Sequence, residues 1–233
     1  MFFFNNKKSI LSSGLLQGFT DWHCHILPGV DDGVQEMEES LKILARYEEL
    51  GIKEAWLTPH VMEDIPNEAK RLKERYEELS KAYQGTIQLH LAAEYMMDNL
   101  FEERLSNNDF LPIGSDNKTI LVETSYFNPP MDLYGILKRV QEQGYQPLLA
   151  HPERYLYMDR KDYQQLKSQG VQFQCNITSL TGMYGKDASE KVIDFLTKGW
   201  VNHFGTDLHH LSSFEKAIAQ KELSNKVVTK VRS

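Results

Sequence analysis

The sequence predicts an α/β protein built on a parallel sheet, either open or closed into a barrel. Three observations carry that expectation. Helical segments repeatedly end at a glycine, a short apolar run follows, and the run ends in polar residues before the next helix begins. Seven such runs start near residues 19, 52, 86, 119, 146, 171 and 200. The spacing, roughly 25–35 residues, matches successive strand–helix units.

The first run is "FTDWHCH". A helix near Gln35–Leu50 follows, with Met37, Leu41, Leu44 and Ala45 on one face and Gly51 where a C-terminal cap belongs. Next comes "IKEAWLTPH". The helix near Asn67–Gln84 carries Glu and Lys/Arg at helical spacing, which makes a solvated, self-paired face rather than a binding patch. It ends at Gly85, and "TIQLHLAAEY" follows. A shorter helix leads to "TILVETS". Helices near Leu133–Gln143, Lys161–Gln169 and Glu190–Lys198 end at Gly144, Gly170 and Gly199, and introduce "QPLLAHPER", "VQFQCNIT" and "WVNHFGTDLHH". No low-complexity stretch or linker interrupts the pattern, so residues 19–233 are expected to form a single domain. Residues 1–18 are expected to be an N-terminal arm. A loose tail is favoured there over a docking role for Phe2–Phe4.

The length of 233 residues suits one α/β barrel, and 41% hydrophobic residues make the chain globular. The net charge of −7 argues against general nucleic-acid binding, which needs a basic face. No segment approaches the ~20 apolar residues of a membrane span. At the start, three Phe precede the lysines, the reverse of a signal peptide's order. Without a secretory signal, the two cysteines, Cys24 and Cys175, fit a reducing compartment, the cytoplasm.

Chemistry-bearing residues gather at the C-terminal ends of the runs, where barrels of this kind build their active sites. The ends offer His23 and His25; His60; Glu94; Glu123; His151 with Glu153 and Arg154; Asn176; and Asp207 with His209. Residues i and i+2 of a strand face the same way, so His23 and His25 point together, as do Asp207 and His209. Cys24 is expected to face the covering helices, as core. Imidazoles and carboxylates without a thiolate suit Mn²⁺, Fe²⁺ or Zn²⁺ in a hydrolytic site. With Asp32, nine candidates are too many for one ion. Two or three ions, with a carboxylate such as Glu94 bridging, would use them all and would clamp phosphoryl oxygens. Arg154 could meet an anionic oxygen with its fork of donors.

Blander roles compete for several of these. Asp31 and Asp32 could make the turn before Gly33 and cap the next helix. Glu123 could be a helix N-terminal carboxylate. Glu153 could orient a ligand rather than be one. His90 and His203 read as core histidines, and His210 would point away from His209.

Together "DWHCHILPGVDDG", "TPH", "AAEY", "AHPER" and "GTDLHH" resemble the polymerase-and-histidinol-phosphatase (PHP) family, and within it the capsule-type tyrosine-protein phosphatases of the CpsB/YwqE group. The match runs from about Asp21 to His209. The resemblance implies a distorted (β/α)7 TIM-like barrel, the PHP fold, with three divalent metal ions, Mn first and Fe or Zn as alternatives. It implies that His23, His25, Glu94 and Asp207 hold the first ion. Glu94 bridges to the second, with Glu123 and His151, and Asp32, His60 and His209 hold the third. It makes Arg154 the phosphate-binding residue. A metal-bridging hydroxide would attack phosphotyrosine, on the tyrosine-rich tail of a bacterial tyrosine autokinase that controls polysaccharide export. Two departures stand out: Trp22 and Cys24 replace Ile and Ser around the first histidine, and no basic residue follows "DLHH" until Lys216.

The phenolate leaving group, whose acid has a pKa of about 10, needs little acid assistance. His60 and His209 are the candidates for supplying any. A cysteine mechanism is excluded, because it needs an Arg six positions after the Cys, where this chain has Val30 and Thr181. Histidinol phosphate is the main alternative substrate. A nuclease is disfavoured by the charge. An amidohydrolase is disfavoured by Glu123, where that class commonly has a carboxylated lysine. A non-enzymatic scaffold is disfavoured by the complete ligand set.

Overall fold

The computed structural model describes residues 7–232. In chain order its elements are α1 (Ile10–Ser13), β1 (Thr20–Cys24), α2 (Met37–Leu50), β2 (Glu54–Leu57), β3 (His60–Val61), α3 (Ala69–Ala82), β4 (Gln88–Leu91), β5 (Glu94–Met96), α4 (Asn99–Asn107), β6 (Thr119–Glu123), α5 (Leu133–Glu142), β7 (Gln146–Ala150), α6 (Arg160–Ser168), β8 (Gln172–Asn176), α7 (Lys186–Lys198), β9 (Val201–Gly205), α8 (Leu211–Ala219) and α9 (Asn225–Arg232). Two 3-10 turns, Pro152–Arg154 and Ile177–Thr181, follow β7 and β8.

The strands pair in parallel as two sheets, β1-β2-β4 and β3-β5-β6-β7-β8-β9. Two of the expected runs are each divided. Thr58-Pro59 separates β2 from β3, and Ala92-Ala93 separates β4 from β5. Pro59 has no N–H to give to a ladder, so regular pairing stops there. Its carbonyl still accepts from Glu94 N–H at 3.0 Å, and Leu57 O accepts from Ala92 N–H at 2.9 Å. The first and last strands meet: Asp207 N–H donates to His23 O (2.7 Å) and His25 N–H to Leu208 O (3.0 Å).

Alternation along the strands divides two apolar faces. Ile120, Val122, Leu149 and Phe173 join the main core beneath the helices, while Leu121, Leu148 and Ala150 form a smaller cluster with Trp56 and Ile113. The helix α2 buries Ser40, Ile43, Leu44, Tyr47 and Leu50, and Gly51 caps it at φ +84°. That stripe is rotated from the expected one: Met37 and Leu41 are only partly covered.

Trp22 breaks the simple alternation. In β1 the register slips, with Asp21 opposite Ala55 but Cys24 opposite Leu57. The extra residue is a bulge. Cys24 lies in the main core as expected, whereas Trp22 stacks on Trp56 and His203, with ring centroids 5.8 and 3.7 Å away. His90 also stacks on Trp56, at 4.5 Å.

From Lys8 onward the expected arm is packed. Lys8 pairs with Leu223 through two backbone hydrogen bonds, and Ile10, Leu15 and Leu16 are buried in the main core. The docking role weighed for Phe2–Phe4 lies outside the described residues. Among the described residues, no helix is long and apolar enough to cross a membrane.

His203 gives a stability prediction. Burial holds its imidazole down to about 4, against an ordinary 6.5. Below pH 6.5 the unfolded chain takes a proton that the folded protein refuses. The stability His203 contributes above pH 6.5 is therefore lost as pH falls towards 4. With partial exposure discounted, the loss should be on the order of 1–2 kcal/mol. Urea unfolding at pH 7 and 5 should show this loss in the wild type and much less of it in His203→Gln. Parallel pH profiles for the two proteins would sink the assignment.

Candidate metal centre

All nine candidate ligands and Arg154 converge at one end of the strands. His23 lies in β1, with His25 just beyond it; Asp32 is in the loop that follows. His60 opens β3, Glu94 opens β5 and Glu123 closes β6. His151 follows β7, Arg154 ends the first 3-10 turn, and Asp207 and His209 follow β9. Two of these positions carry unusual backbone: φ is +33° at His151 and +52° at Asp207. Left-handed conformations in non-glycine residues cost about 1–3 kcal/mol each and cluster where a fold must aim a functional side chain. The last strand also approaches closely. A Cβ on Gly205 would sit 2.5 Å from the His23 Cβ, so only glycine lets β9 pass.

Hydrogen bonds fix the tautomers at the centre. His23 Nδ1 lies 2.8 Å from Gln174 Oε1, an oxygen that also accepts the His151 backbone N–H at 3.2 Å. His25 Nδ1 lies 2.8 Å from Asp31 Oδ2. Each Nδ1 is therefore placed to donate, which leaves Nε2 of each ring as the nitrogen whose lone pair can face an ion. Those two Nε2 atoms are 3.0 Å apart. Glu94 Oε2 lies 3.1 and 3.4 Å from them, and Asp207 Oδ1 3.7 and 3.5 Å. Four electron-rich atoms facing one another in a buried site need shared protons or a cation.

The remaining donors repeat the pattern. Glu94 Oε2, Glu123 Oε1, His60 Nδ1 and His151 Nδ1 are buried without a hydrogen-bond partner. Yet His60 Nδ1 is 3.1 Å from Glu94 and 3.0 Å from Glu123, close enough to share an ion but off the line of a hydrogen bond. His151 Nε2 lies 3.0 Å from Glu94 Oε1. Four groups bring their donor atoms within 4.8 Å of one another: His25, Asp32, His60 and His209; His23, His25 and Asp207; His23, Glu94 and His151; and His60, Glu94 and Glu123. Such borderline nitrogen and hard oxygen donors, with no thiolate, fit divalent ions of the Mn, Fe or Zn kind.

Without ions the cluster holds protons. Burial pulls the His23 imidazole down, but Glu94 and Asp207 push it up to about 9. His60 is likewise lowered by burial and raised further by Glu94 and Glu123, to about 10. Burial raises Asp207, and the charges of His23, His151 and Arg154 bring it well below the usual carboxylate range. Asp32 is held at about 2, chiefly by its hydrogen bond with His209. Metal binding here must displace protons from imidazoles.

Arg154 bridges the cluster and the cleft above it. Its Nη1 donates to Asp207 Oδ2 at 2.6 Å, and the same oxygen accepts from Asn176 Nδ2 at 2.8 Å. The cleft encloses about 380 Å³ and is lined by Asp32, His60, Arg154, Asp207 and His209 on its polar side. His210 also lines it, but it joins none of the groups of converging donor atoms. Glu153 is not part of the cluster: its Oε1 accepts from Asn176 N–H and the Ser179 hydroxyl, at 2.8 and 2.7 Å.

Sequence reasoning missed four contributors. Asp31, set aside in favour of Asp32 as a candidate ligand and weighed as a turn residue, does accept Gly33 N–H at 3.0 Å, but its other oxygen orients His25. Gln174 orients His23, and its place two residues before Asn176, on the same strand face, was the available signal. Tyr126 and Tyr184, which flank Arg154, carried no local signal. Partners that orient a ligand typically contribute about 10–100-fold to metal affinity, so Asp31→Ala should weaken metal binding by that order. A metal-competition titration checks this; unchanged affinity would make Asp31 a turn residue only.

Fold and site define a class: a parallel α/β protein with a buried histidine–carboxylate cluster able to hold divalent ions. The chain belongs to the capsular polysaccharide synthesis CpsB/CapC family, whose model matches residues 19–230. The tyrosine-protein phosphatase YwqE of Bacillus subtilis is 27% identical over 199 residues, covering 83% of this chain and 78% of that protein. The tyrosine-protein phosphatase CpsB of Streptococcus pneumoniae is 27% identical over 208 residues, covering 83% and 84%. A crystal structure from work on these two proteins, described as unique metal-dependent tyrosine phosphatases, shares the fold with a TM-score of 0.78. It is 23% identical and covers 91% of this chain and 90% of its own.

Proposed function

We propose that this chain is a metal-dependent protein-tyrosine phosphatase of capsular or exopolysaccharide synthesis. The observation that carries the reading is the convergence of nine imidazole and carboxylate groups, all but Asp32 and His209 buried, at a cleft with Arg154 on its wall. Family membership and the relatives' activity support it. His23, His25, Glu94 and Asp207 are assigned to one ion; Glu94, Glu123 and His151 to a second; Asp32, His60 and His209 to a third. Divalent ions there would activate a water and offset phosphoryl charge.

The chain's own residues supply the rest. Arg154 binds a phosphoryl oxygen through N–H donors not used by Asp207. Gln174 and Asp31 hold the two first imidazoles in the ligating tautomer. His60 and His209 line the cleft; were the third ion absent, they would be the residues able to hand a proton to the leaving phenolate. The two sheets are read as parts of one distorted seven-stranded barrel, supported by the hydrogen bonds between the β1 end and the segment after β9. Residues 19–233 are read as its single domain. The substrate is read as the tyrosine-rich tail of a bacterial tyrosine kinase. A cytoplasmic site of action is supported by the two free, buried cysteines.

The test is to load the purified protein with Mn²⁺ and compare a phosphotyrosine peptide, a phosphoserine peptide and histidinol phosphate, with His151→Ala alongside. Phosphotyrosine should be preferred and the variant nearly inactive. Absence of phosphotyrosine turnover, or full activity of His151→Ala after chelation, would overturn the reading.

A further inference from the structure

Arg154 lies between two tyrosine rings. Its guanidinium carbon is 4.3 Å from the ring centroid of Tyr126 and 4.2 Å from that of Tyr184. One ring comes from the segment after β6, the other from the segment after the second 3-10 turn. The Tyr126 backbone is pinned, its carbonyl accepting from Leu156 N–H at 2.9 Å. Tyr184 donates its hydroxyl to Asp207 Oδ2 at 3.3 Å, the oxygen that Arg154 also holds. All three side chains line the cleft, and 19% of the Arg154 side chain remains exposed.

A guanidinium donates hydrogen bonds only in its own plane. Two rings packed against its carbon restrict how it can tip and favour its edge as the approach for an oxygen anion. A second carboxylate could also hold the cation, but it would repel the phosphate that must arrive beside it. Aromatic faces attract the cation without placing a full negative charge there.

We propose that Tyr126 and Tyr184 are positioning residues that hold the Arg154 guanidinium edge-on to the phosphoryl group. The proposal rests on the phosphatase reading and deepens it. The rings act through Arg154: the donor fork is oriented before phosphate arrives, so less freedom is lost on binding.

The test is titration calorimetry of inorganic phosphate into the metal-loaded protein, with bound metal, melting temperature and phosphotyrosine-peptide kinetics measured alongside. Tyr126→Leu should weaken phosphate binding about tenfold and raise KM similarly, with a smaller change in kcat. Its bound metal should match the wild type's. Tyr126→Phe keeps the ring and should recover most of the lost affinity. Tyr184→Leu repeats the test independently, in case Tyr126→Leu folds poorly. In the Arg154→Ala background, Tyr126→Leu should add no further loss, because the partner it orients is gone. The proposal is overturned by wild-type phosphate affinity in both leucine variants. It is equally overturned by the same loss with and without Arg154, or by no saturable phosphate binding to the wild type. Phosphate binding without phosphotyrosine turnover would instead remove the phosphatase reading, with the ring effect still measured.

Discussion

Glu94→Gln should yield a folded protein that retains little metal and turns over phosphotyrosine at least about a thousandfold more slowly. Glu94 is completely buried, and its carboxylate lies within 3.4 Å of His23, His25, His60 and His151. Burial raises its pKa, but the charges of His23 and His60 bring it well below the carboxylate range, so it is ionised in the metal-free cluster. Glutamine preserves the shape, removes the charge, and places N–H donors or a weaker carbonyl where a ligand oxygen stood. Metal content by atomic emission, circular dichroism and peptide kinetics check the result together. A variant with a full metal complement and near wild-type turnover would show that Glu94 is not the shared carboxylate.

Arg154→Ala should retain its metal while losing roughly a hundredfold to a thousandfold in kcat/KM, the usual effect of removing one donor to a developing oxyanion. Among the described residues, Arg154 is the only arginine or lysine lining the cleft, and the next basic residue after "DLHH" is Lys216. No other arginine or lysine among the described residues lines the cleft to take over its charge. Arg154→Lys should recover little, because an ammonium neither stacks between two rings nor presents a planar fork. The contrast with Glu94→Gln is diagnostic, since one change empties the metal centre and the other leaves it filled. Loss of metal in Arg154→Ala, or kcat/KM within about threefold of wild type, would remove Arg154 from the phosphate site.

The parts legible in the sequence share one property: they depend on local period. Alternating runs and glycine stops revealed the parallel α/β frame, because a strand shows side-chain period two and a helix period 3.6. The polar ends of those runs revealed the candidate ligands, because a parallel sheet brings the same ends of all its strands to one edge. The spacing of His23 and His25, and of Asp207 and His209, was readable for the same reason.

What the tertiary structure decided depends on residues distant in sequence or on broken period. Gln174 reaches His23 across 151 positions, and Tyr126 and Tyr184 close on Arg154 from separate loops. The role of Asp31 towards His25 was not legible because it requires the loop to fold back over six residues. The bulge in β1 moved Trp22 away from Cys24, since one extra residue undoes a period of two. Pro59 divided a run that apolar content alone made continuous. The segment from Lys8 to Gly18 had no periodic signal, and its place was set by pairing with Leu223 and by apolar surface left open for Ile10, Leu15 and Leu16. By itself the sequence named which residues were candidates to hold metal. Only the folded chain decided which neighbours aim them, because hydrogen-bond partners are chosen by distance in space.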